Sequence, residues 1–503
     1  MDKVSSNCTD SKDVLSWKAV DDTSIRFSWF SCYLSFLFVI HVAISIGSYS
    51  GHGTPPMFGD YEAQRHWMEI TLHLPMKDWY FNGTNNDLNY WGLDYPPLTA
   101  LHSLFLGRIS SVFNASWVEL HSSRGIETDE HKLFMRSSVL FSLWLLYLPV
   151  LILFINRFSS SSSQIYHIII ATSYPGIICM DLGHFQYNHI SLGFFIISVY
   201  FFLSAYPAIG SLLFVMAVNY KQMELYHSLP IAVFLLSSSI FTPLTSENIK
   251  KSTFRLFKLF FMVVGTFAML WVPFYLRGGI PGIVQILSRI FPFYRGIFED
   301  KVANFWFALN VVVKIKRKFP VDALIKLSTT AVLIAHIPSL YVLWRRPSHT
   351  NLKQCLLISS LSFFLFSFQV HEKSILLAAL PAILVWDELQ VPVSWFLVIS
   401  ANSLYSLCIQ DGNSCHLAYL ILFYIATVPS FFSLKGLKAF IVHMSCLSSF
   451  LLCLASLLLE PPRRYPHIFP LLVALFSFLH FAVFLIYFNL HLHWNFYKKQ
   501  KES

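Results

Sequence analysis

Charged residues are scarce in this chain. Only 13% of its 503 residues are Asp, Glu, Lys or Arg, whereas roughly 25% are charged in ordinary soluble domains. The shortage argues against a water-soluble protein. The apolar stretches also run unbroken, which excludes a transmembrane β-barrel, because barrel strands alternate between apolar and polar residues.

Signals of several other protein classes are missing as well. The eight Cys form no CxxC pair and no Cys/His spacing typical of a metal site, and most lie within apolar runs. We therefore interpret them as small buried hydrophobic residues. No sequence repeat is visible. The net charge of +9 does not indicate a nucleic-acid partner, since the basic residues fall mainly in loops between the apolar runs, as in membrane proteins.

Apolar runs long enough to cross a membrane dominate the rest. Hydrophobic residues make up 55% of the chain and aromatic residues 17%, and a bilayer core takes roughly 20 apolar residues per helix. The sequence therefore predicts an all-α polytopic membrane protein with about 14 transmembrane helices. The predicted spans are residues 27–46, 137–155, 165–180, 190–206, 211–218, 225–241, 255–275, 323–343, 353–370, 374–388, 393–409, 416–433, 438–459 and 467–488. The run 211–218 is too short to cross alone, and we interpret it as half of a broken helix buried in protein.

The distribution of Lys and Arg predicts the orientation of these helices. Basic residues of the short loops concentrate on the side shared with both termini, which places the termini in the cytosol. Residues 1–26 are then a cytosolic tail, 27–488 a transmembrane domain and 489–503 a basic cytosolic tail. Two long loops, 47–136 and 276–322, face the lumen in this topology.

Short motifs are consistent with a luminal first loop. The glycosylation sequons at Asn82 and Asn114 both lie in it, where the modifying machinery would reach them. A third sequon at Asn7 lies in the predicted cytosolic tail and is expected to stay unused. The C-terminal stretch KKQKES resembles a dilysine signal for return to the endoplasmic reticulum, although short basic tails also occur for other reasons.

Polar residues gather at the predicted luminal ends of the spans. A charge at mid-bilayer costs about 2.5–3.5 kcal/mol on insertion scales, so polar clusters on one side indicate one aqueous site at the membrane surface. The midplanes are nearly free of charge, which favours an enzyme acting on a lipid-linked polar substrate over a transporter. The six clusters are GDYEAQRHW (59–67), YWGLDYPP (90–97), GHFQYN (183–188), NYKQMELYH (219–227), FPFYRGIFEDKVANFW (291–306) and VHEK (370–373).

These clusters contain the groups that glycosyl transfer from a lipid phosphate requires. Because the phosphodiester anion leaves readily, the reaction needs a carboxylate base for the attacking hydroxyl and cationic donors for the phosphate. Asp60 and Asp94 are the candidate bases. If the phosphate leaves from the face opposite the attack, the anomeric centre inverts. The candidate cationic groups for binding the phosphate are His371, Lys373, Arg289, Arg295, Lys301 and Lys221.

Each of these residues also has an alternative role. Asp60 could be a helix N-cap, and Asp94, which precedes two prolines, could stabilise a turn. The basic residues could bind lipid head groups. Asp60 and Glu62 together could hold a divalent cation, for which two carboxylates are weak evidence. Trp67, Trp79, Trp91 and Trp306 could stack on sugars or anchor the chain at the interface.

Six stretches between about Gly51 and Pro381 resemble, in the same order, the motifs of the dolichyl-phosphate-glucose-dependent α-1,3-glucosyltransferases of the endoplasmic reticulum. They are GDYEAQRHW, WYFNGTNNDLNYWGLDYPPLTA, GHFQYN, NYKQMELYHSLP, RGIFEDKVANFW and SFQVHEKSILL. GDYEAQRHW and YWGLDYPP are similar to the motifs of the members that add the first glucose to the nine-mannose dolichyl-diphosphate oligosaccharide. Members that add the second glucose have a degenerate first motif.

The resemblance implies a GT-C fold, with many transmembrane helices and an acidic motif in the first luminal loop. It implies that Asp60 is the general base, that Asp94 helps form the acceptor site and that His371 faces the donor phosphate. Arg295 and Lys301 are further candidates for the phosphate. The family also implies that no metal is used, and we expect no cofactor. The other substrate-binding candidates in these motifs are Glu62, Arg65, His66, Lys221, Lys373, His184 and Gln186.

The same resemblance names the expected partners. They are dolichyl-phosphate-glucose as the donor, a dolichyl-diphosphate oligosaccharide as the acceptor and the membrane lipids, with no nucleic acid. The protein is expected to be a multi-pass protein of the endoplasmic reticulum membrane with a luminal active site. Two other functions stay open, namely addition of the second glucose within the same family and transport of a lipid-linked oligosaccharide without covalent chemistry.

Overall fold

The computed structural model describes residues 22–240, 246–292, 297–298, 301–412 and 415–502. In these ranges the regular structure is helical, and β pairing is limited to two isolated bridges. This confirms the predicted all-α class. The chain divides into two compact units, Met1–Ala43 and Ile44–Ser503, and all site residues discussed below belong to the second.

The helices follow the apolar runs and are separated by short turns. The α-helices are α1 Asp22–Ile46, α2 Gly59–His73, α3 Pro97–Phe113, α4 Asp129–Ser142, α5 Leu148–Phe158, α6 Gln164–Thr172, α7 Pro175–Ile177, α8 Asn188–Leu203, α9 Pro207–Tyr220, α10 Ser228–Ile240, α11 Ser246–Ile290, α12 Phe305–Val313, α13 Ile315–Lys318, α14 Val321–Arg345, α15 His349–Phe366, α16 Leu376–Leu384, α17 Gln390–Ser403, α18 Tyr405–Gln410, α19 Cys415–Thr427, α20 Gly436–Leu458 and α21 Ile468–Lys501. Two π-helical segments, Leu143–Tyr147 and Ile178–Phe185, continue neighbouring α-helices. Short 3₁₀ segments are Met76–Asp78, Ala115–Val118, Gln222–His227, Glu372–Ile375 and Val428–Phe431.

Eight helices of the described chain are long and apolar enough to cross a membrane. They are Ser28–Ile46, Asp129–Phe158, Gln164–Phe185, Ile249–Ile290, Val321–Arg345, Gln390–Gln410, Gly436–Leu458 and Ile468–Lys498. Large apolar side chains such as Phe257, Phe260 and Phe261 of α11 are exposed, as a surface in contact with lipid requires. The protein is therefore a polytopic helical membrane protein. The number of about 14 spans stays a prediction.

The two long predicted loops contain helices that the sequence reading did not assign. α2, α3 and the start of α4 lie within the first of these loops, and α11 continues to Ile290 instead of ending near residue 275. Within α11, Gly279 has φ 61° and ψ −162°, a conformation that glycine adopts far more readily than other residues. The chain therefore changes direction at Gly279 and continues as a helix. The luminal location of both segments stays a prediction.

A buried aromatic cluster connects the first of these segments to the end of α11. Its members are Trp67, Ile70, Trp79, Tyr80, Leu93, Ala100, Phe274, Ile286 and Ile290. The ring of Phe274 lies 5.9 Å from that of Trp79 and 6.2 Å from that of Tyr80, both edge-on. Arg289 donates to the carbonyl oxygens of Gly92 at 2.7 Å and Leu93 at 3.2 Å. This packing holds the YWGLDYPP motif and the end of α11 beside α2.

Candidate active site

A cavity of about 700 Å³ lies beside α2 and is lined by residues that are far apart in sequence. All six polar clusters contribute to its wall, although the fifth, residues 291–306, contributes only Phe291 and Pro292. The polar and charged lining residues are Asp60, Gln64, Asn89, Asp94, Gln186, Asn188, Ser191, Lys221, Gln222, Arg289, Ser367, Gln369, His371, Lys373 and Ser374. The predicted convergence of the clusters on one site is therefore present in the fold.

The backbone at the start of α2 sets the position of Asp60. Gly59 has φ 66°, and a Cβ atom there would lie 2.6 Å from the carbonyl carbon of Ser50, so this close approach requires glycine. The Asp60 amide donates to Ser50 Oγ at 3.2 Å. The N-cap position of α2 is occupied by Phe58, and the Asp60 carboxylate bonds to side chains outside the helix. The alternative in which Asp60 is only a helix cap is therefore wrong.

Three donors from two distant segments hold one oxygen of the Asp60 carboxylate. Oδ2 accepts from Gln186 Nε2 at 2.6 Å, from the ammonium group of Lys373, and faces His184 Nε2 at 3.0 Å. Among the described residues, none hydrogen-bonds Oδ1. The side chain keeps 23% of its surface exposed. One carboxylate oxygen is thus fixed by the protein, and the other is left for a group in the cavity.

The Asp60 carboxylate is ionised at neutral pH. Burial by itself would raise the pKa of Asp60, but the positive charge of Lys373 and the hydrogen bond from His184 outweigh burial and hold the pKa well below its usual range, since both favour the charged form. Asp60 is therefore a carboxylate at neutral pH, and Lys373 is its principal counter-ion.

His184 links Asp60 to a second carboxylate that the sequence analysis did not identify. The ring lies in the π-helical segment Ile178–Phe185, and its Nδ1 lies 2.7 Å from Asp411 Oδ2. Arg136 donates to the carbonyl oxygens of Leu182 and Gly183, which fixes the backbone just before His184. A usable signal existed in the sequence. Asp411 is an acid in the short loop between two predicted spans, on the same predicted side as the other clusters.

Two further groups in the cavity have pKa values that burial lowers. Burial, with the nearby charge of Lys373, lowers the pKa of Lys221 to about 8, so Lys221 is still a cation at neutral pH. Burial, again with the charge of Lys373, lowers the pKa of His371 to about 3, so its ring is neutral. His371 Nδ1 accepts from the Lys373 amide at 3.2 Å, which leaves the ring proton on Nε2. His371 is therefore a neutral donor in the wall of the cavity.

Glu62, Arg65 and His66 do not line the cavity. Together with Glu69 they form a network, here called the buried ion network, in which every side chain is at most 1% exposed. Arg65 Nη2 donates to Glu62 Oε1 at 2.6 Å and to Glu69 Oε2 at 2.7 Å, and His66 Nδ1 lies 3.1 Å from the same Glu69 oxygen. The hydroxyl of Tyr90 donates to Glu62 at 2.8 Å. The network holds α2 against the YWGLDYPP motif and does not reach the cavity wall.

The other predicted residues are placed as follows. Asp94 lines the cavity, whereas Lys301 is not among its lining residues. Arg295 lies outside the described residues. Asn82 and Asn114 are exposed, as glycosylation would require, and their use stays a prediction. Besides Asp411, the sequence analysis missed Gln64 and Asn188 as individual site residues, although both lie inside the clusters that it identified.

The four tryptophans considered for sugar stacking or anchoring divide into two groups. Trp67 and Trp91 line the cavity, and the Trp67 indole donates to the carbonyl oxygen of Trp91 at 2.8 Å. Trp79 and Trp306 are 2% and 1% exposed. Their burial is incompatible with the interfacial anchoring considered above, because an anchor must reach the head-group region.

The fold and the cavity together define a class of protein, a polytopic membrane enzyme whose site combines an ionised carboxylate, ammonium groups and a neutral imidazole donor. The chain matches the ALG6, ALG8 glycosyltransferase family over residues 33–487. It is 45% identical over 460 residues to a Caenorhabditis elegans protein named "Probable dolichyl pyrophosphate Man9GlcNAc2 alpha-1,3-glucosyltransferase", covering 90% of this chain and 87% of the relative.

Two more relatives agree with this match. The mouse "Dolichyl pyrophosphate Man9GlcNAc2 alpha-1,3-glucosyltransferase" is 40% identical over 498 residues, covering 93% of this chain and 97% of its own length. The Saccharomyces cerevisiae protein of the same name is 42% identical over 411 residues, covering 78% and 73%. The chain therefore belongs to the ALG6, ALG8 glycosyltransferase family and is a membrane glycosyltransferase. The family resemblance seen in the motifs is confirmed.

Proposed function

We propose that this protein is an inverting glucosyltransferase that moves glucose from dolichyl-phosphate-glucose onto a terminal mannose of a dolichyl-diphosphate-linked oligosaccharide, forming an α-1,3 linkage. The names of the relatives support the acceptor, because Man9GlcNAc2 carries no glucose and the product would carry the first one. The observation that carries the proposal is the Asp60 carboxylate, which lines a cavity of about 700 Å³. Its Oδ2 is held by protein groups, and its Oδ1 is proposed to contact the acceptor.

The proposed reaction is a single displacement. The acceptor hydroxyl oxygen attacks C1 of the glucose, and its proton passes to Asp60 Oδ1. The bond between C1 and the phosphate oxygen breaks with its electron pair, so dolichyl phosphate leaves as an anion. Attack and departure on opposite faces invert the anomeric centre.

The low pKa of Asp60 is compatible with this role. A strong general base is needed when the leaving group is poor, whereas a phosphate leaves readily and the attacked carbon becomes positively charged early in the reaction. The hydroxyl then becomes acidic as its bond to C1 forms, and a positioned carboxylate accepts the proton. Asp60 thus supplies orientation and a fixed negative charge near the developing oxocarbenium ion.

The donor phosphate is proposed to bind on the side of the cavity that carries Lys221 and His371. Lys221 is a cation at neutral pH, and the neutral His371 ring presents an Nε2 donor. Both line the cavity with Asp60. Arg289 also lines it but spends two of its donors on backbone carbonyl oxygens, so we assign it mainly to holding the YWGLDYPP motif. Asp94 is proposed to contact the acceptor glycan.

The finer architecture is part of the same proposal. We propose a GT-C fold with about 14 transmembrane helices, with luminal segments 47–136 and 276–322 and with cytosolic tails 1–26 and 489–503 on either side of the transmembrane domain 27–488. The site would face the lumen of the endoplasmic reticulum. The polar clusters at the predicted luminal ends of the spans support this arrangement.

We further propose that the reaction uses no metal. In the part of the chain that the structure describes, no group of three or more His, Cys, Asp or Glu is arranged to hold one. The ammonium group of Lys373 already supplies a cation to Asp60. Turnover should therefore be unchanged by a strong chelator, and a loss of activity that manganese restores would contradict this part of the proposal.

One assay tests the function as a whole. The purified protein is incubated with synthetic dolichyl-phosphate-glucose and a glucose-free nine-mannose dolichyl-diphosphate acceptor, and the mass and linkage of the product are determined. The proposal expects one added hexose in an α-1,3 linkage. Transfer only to an acceptor that already carries one glucose would assign the second step, and movement of the lipid-linked oligosaccharide between leaflets without a new bond would indicate a transporter.

A further inference from the structure

His184 is placed between two carboxylates in a way that selects its charged form. Its Nε2 lies 3.0 Å from Asp60 Oδ2 and its Nδ1 lies 2.7 Å from Asp411 Oδ2. A neutral imidazole carries a proton on only one nitrogen, so one of these contacts would set a ring lone pair against a carboxylate oxygen. A protonated ring donates to both carboxylates, and both contacts then become charge-assisted hydrogen bonds.

Asp411 is buried and does not reach the cavity. Its side chain is 4% exposed, and it is not among the cavity-lining residues. It directly follows α18, which packs against the π-helical segment carrying His184. A buried carboxylate is costly unless a hydrogen-bonding cation compensates its charge. The contact with His184 supplies part of that compensation, and Arg136 lies near enough to interact electrostatically with Asp411 as well. The hydrogen-bonded connection from Asp411 to a cavity-lining residue runs through the His184 ring to Asp60.

Several charged or titratable groups surround His184, and the charge of Lys373 opposes a positive ring. Arg136 binds the carbonyl oxygens of the two residues that precede His184, and Lys373 approaches it from the VHEK motif. His371 also lies near enough to interact electrostatically with the ring, and the His416 ring packs against Gly183. The Asp60 carboxylate is shared between Lys373 and His184, so its single negative charge faces two positive groups when the ring is protonated. Asp411 supplies the second negative charge.

We propose that Asp411 is a positioning residue that keeps His184 protonated and aimed at Asp60 Oδ2, so that Asp60 Oδ1 is presented to the acceptor hydroxyl. The inference rests on the proposed function, in which Asp60 accepts the hydroxyl proton. During transfer, His184 keeps both of its ring protons and the new proton resides on Asp60 Oδ1. Loss of the Asp411 charge would favour a neutral ring, weaken the hold on Oδ2 and let the Asp60 carboxylate rotate.

The test compares Asp411→Asn and Asp411→Glu with a matched control, Asp387→Asn. Asp387 also accepts side-chain hydrogen bonds, from Ser160 and Ser163, but does not line the cavity. For each purified full-length variant, kcat and the KM for dolichyl-phosphate-glucose are measured across a range of pH with the nine-mannose acceptor. Thermal unfolding is recorded in parallel, to separate effects on the site from effects on the fold.

The expected result is a change in kcat and in its pH dependence. Asp411→Asn should lower kcat by about 10- to 100-fold, the range typical when a group that orients a functional side chain is lost, with little change in the donor KM. The alkaline decline of kcat should move to lower pH, because a ring with one carboxylate partner loses its proton more easily. Asp411→Glu should keep the wild-type pH profile, and Asp387→Asn should match the wild type throughout.

Two outcomes would overturn the positioning role. The first is Asp411→Asn with a wild-type kcat and pH profile. The second, which applies even if the Asn variant does not fold, is Asp411→Glu with its pH profile displaced although the negative charge is retained. A wild-type protein that transfers no glucose would instead overturn the proposed function, so the two failures are distinguishable.

Discussion

The two faces of α2 carry ionisable groups in different surroundings, one beside the cavity and one buried in the protein. Asp60, Gln64 and Trp67 lie on the face that lines the cavity, whereas the buried ion network occupies the other face. Groups in the network find partners three and four residues away on the same helix, the spacing at which helical side chains meet. Asp60 instead draws its donors from the GHFQYN and VHEK motifs, more than a hundred residues along the chain.

This difference separates a structural role, that of the buried ion network, from a proposed catalytic role, that of Asp60, within the motif GDYEAQRHW. The charges of the network neutralise one another without exposed surface, so removing one leaves the others buried and unpaired. Asp60 keeps part of its surface open, and its partners leave one oxygen without a protein donor among the described residues. The same kind of substitution on the two faces should therefore give opposite results, loss of stability on one and loss of turnover on the other.

The largest effect is expected for Asp60→Asn. The amide keeps the size of the side chain but cannot take a proton, so transfer should fall by about 10²–10⁴-fold, the usual contribution of a positioned general base. Binding of the donor and the thermal unfolding temperature should change little. Asp87→Asn, at an exposed acid outside the cavity, is the control. Full activity of Asp60→Asn would show that Asp60 is not the general base, and the two faces of α2 would then not differ in function.

Arg65→Met should give the opposite pattern. It leaves Glu62 and Glu69 without their shared cation inside the protein, a change that typically destabilises by about 3–5 kcal/mol. The unfolding temperature should drop strongly, and any remaining folded protein should keep its donor KM. Arg65→Lys retains a charge but not the forked geometry, so it should be milder. A stable Arg65→Met protein with selectively impaired turnover would place the network in the site after all.

His371→Ala should have an intermediate effect, confined to the donor. Loss of a hydrogen bond to a charged phosphate costs about 1.5–3 kcal/mol, which corresponds to a rise in the donor KM of about 10- to 100-fold. The acceptor KM should not change. His467→Ala, at an exposed position outside the cavity, serves as the control. An unchanged dependence of the rate on donor concentration would refute contact between His371 and the phosphate.

The smallest effect is the pH dependence of donor binding. Because the pKa of Lys221 is lowered to about 8, its positive charge is present at neutral pH and is lost as the pH rises past that value. The donor KM of the wild type should therefore rise several-fold between about pH 7 and pH 9, whereas Lys221→Arg, whose guanidinium stays charged, should show no such rise. Equal pH dependence in the two proteins would exclude Lys221 from the phosphate site.

The sequence was sufficient to predict where the site lies. It was not sufficient to separate the residues that line the cavity from those of the buried ion network. The clusters were predicted to converge because charges avoid the bilayer interior, and Asp60, His371 and Lys373 indeed share one cavity. The split between the two faces of α2 follows from a helical period of 3.6 residues. The sequence analysis considers a helix start at Asp60 but assigns no helix within the predicted loop 47–136, so it does not separate the two faces.

Contacts between distant segments were the part that sequence reasoning could not supply. The bond between His184 and Asp411 joins residues 227 positions apart, and neither local pattern indicates the other. The continuation of α11 past Gly279 was missed for a different reason, because two adjacent glycines and a proline normally mark the end of a helix. In the structure the unusual φ of Gly279 redirects the chain instead.

The most direct test is an experimental structure of the protein with a non-transferable analogue of dolichyl-phosphate-glucose and the nine-mannose acceptor. The distance to measure is that between Asp60 Oδ1 and the attacking mannose hydroxyl oxygen. We predict about 2.6–3.2 Å, hydrogen-bond reach for a general base, with the phosphate of the donor near Lys221 and His371. A hydroxyl bound to Asp94 instead, with Asp60 turned away from both substrates, would contradict the account.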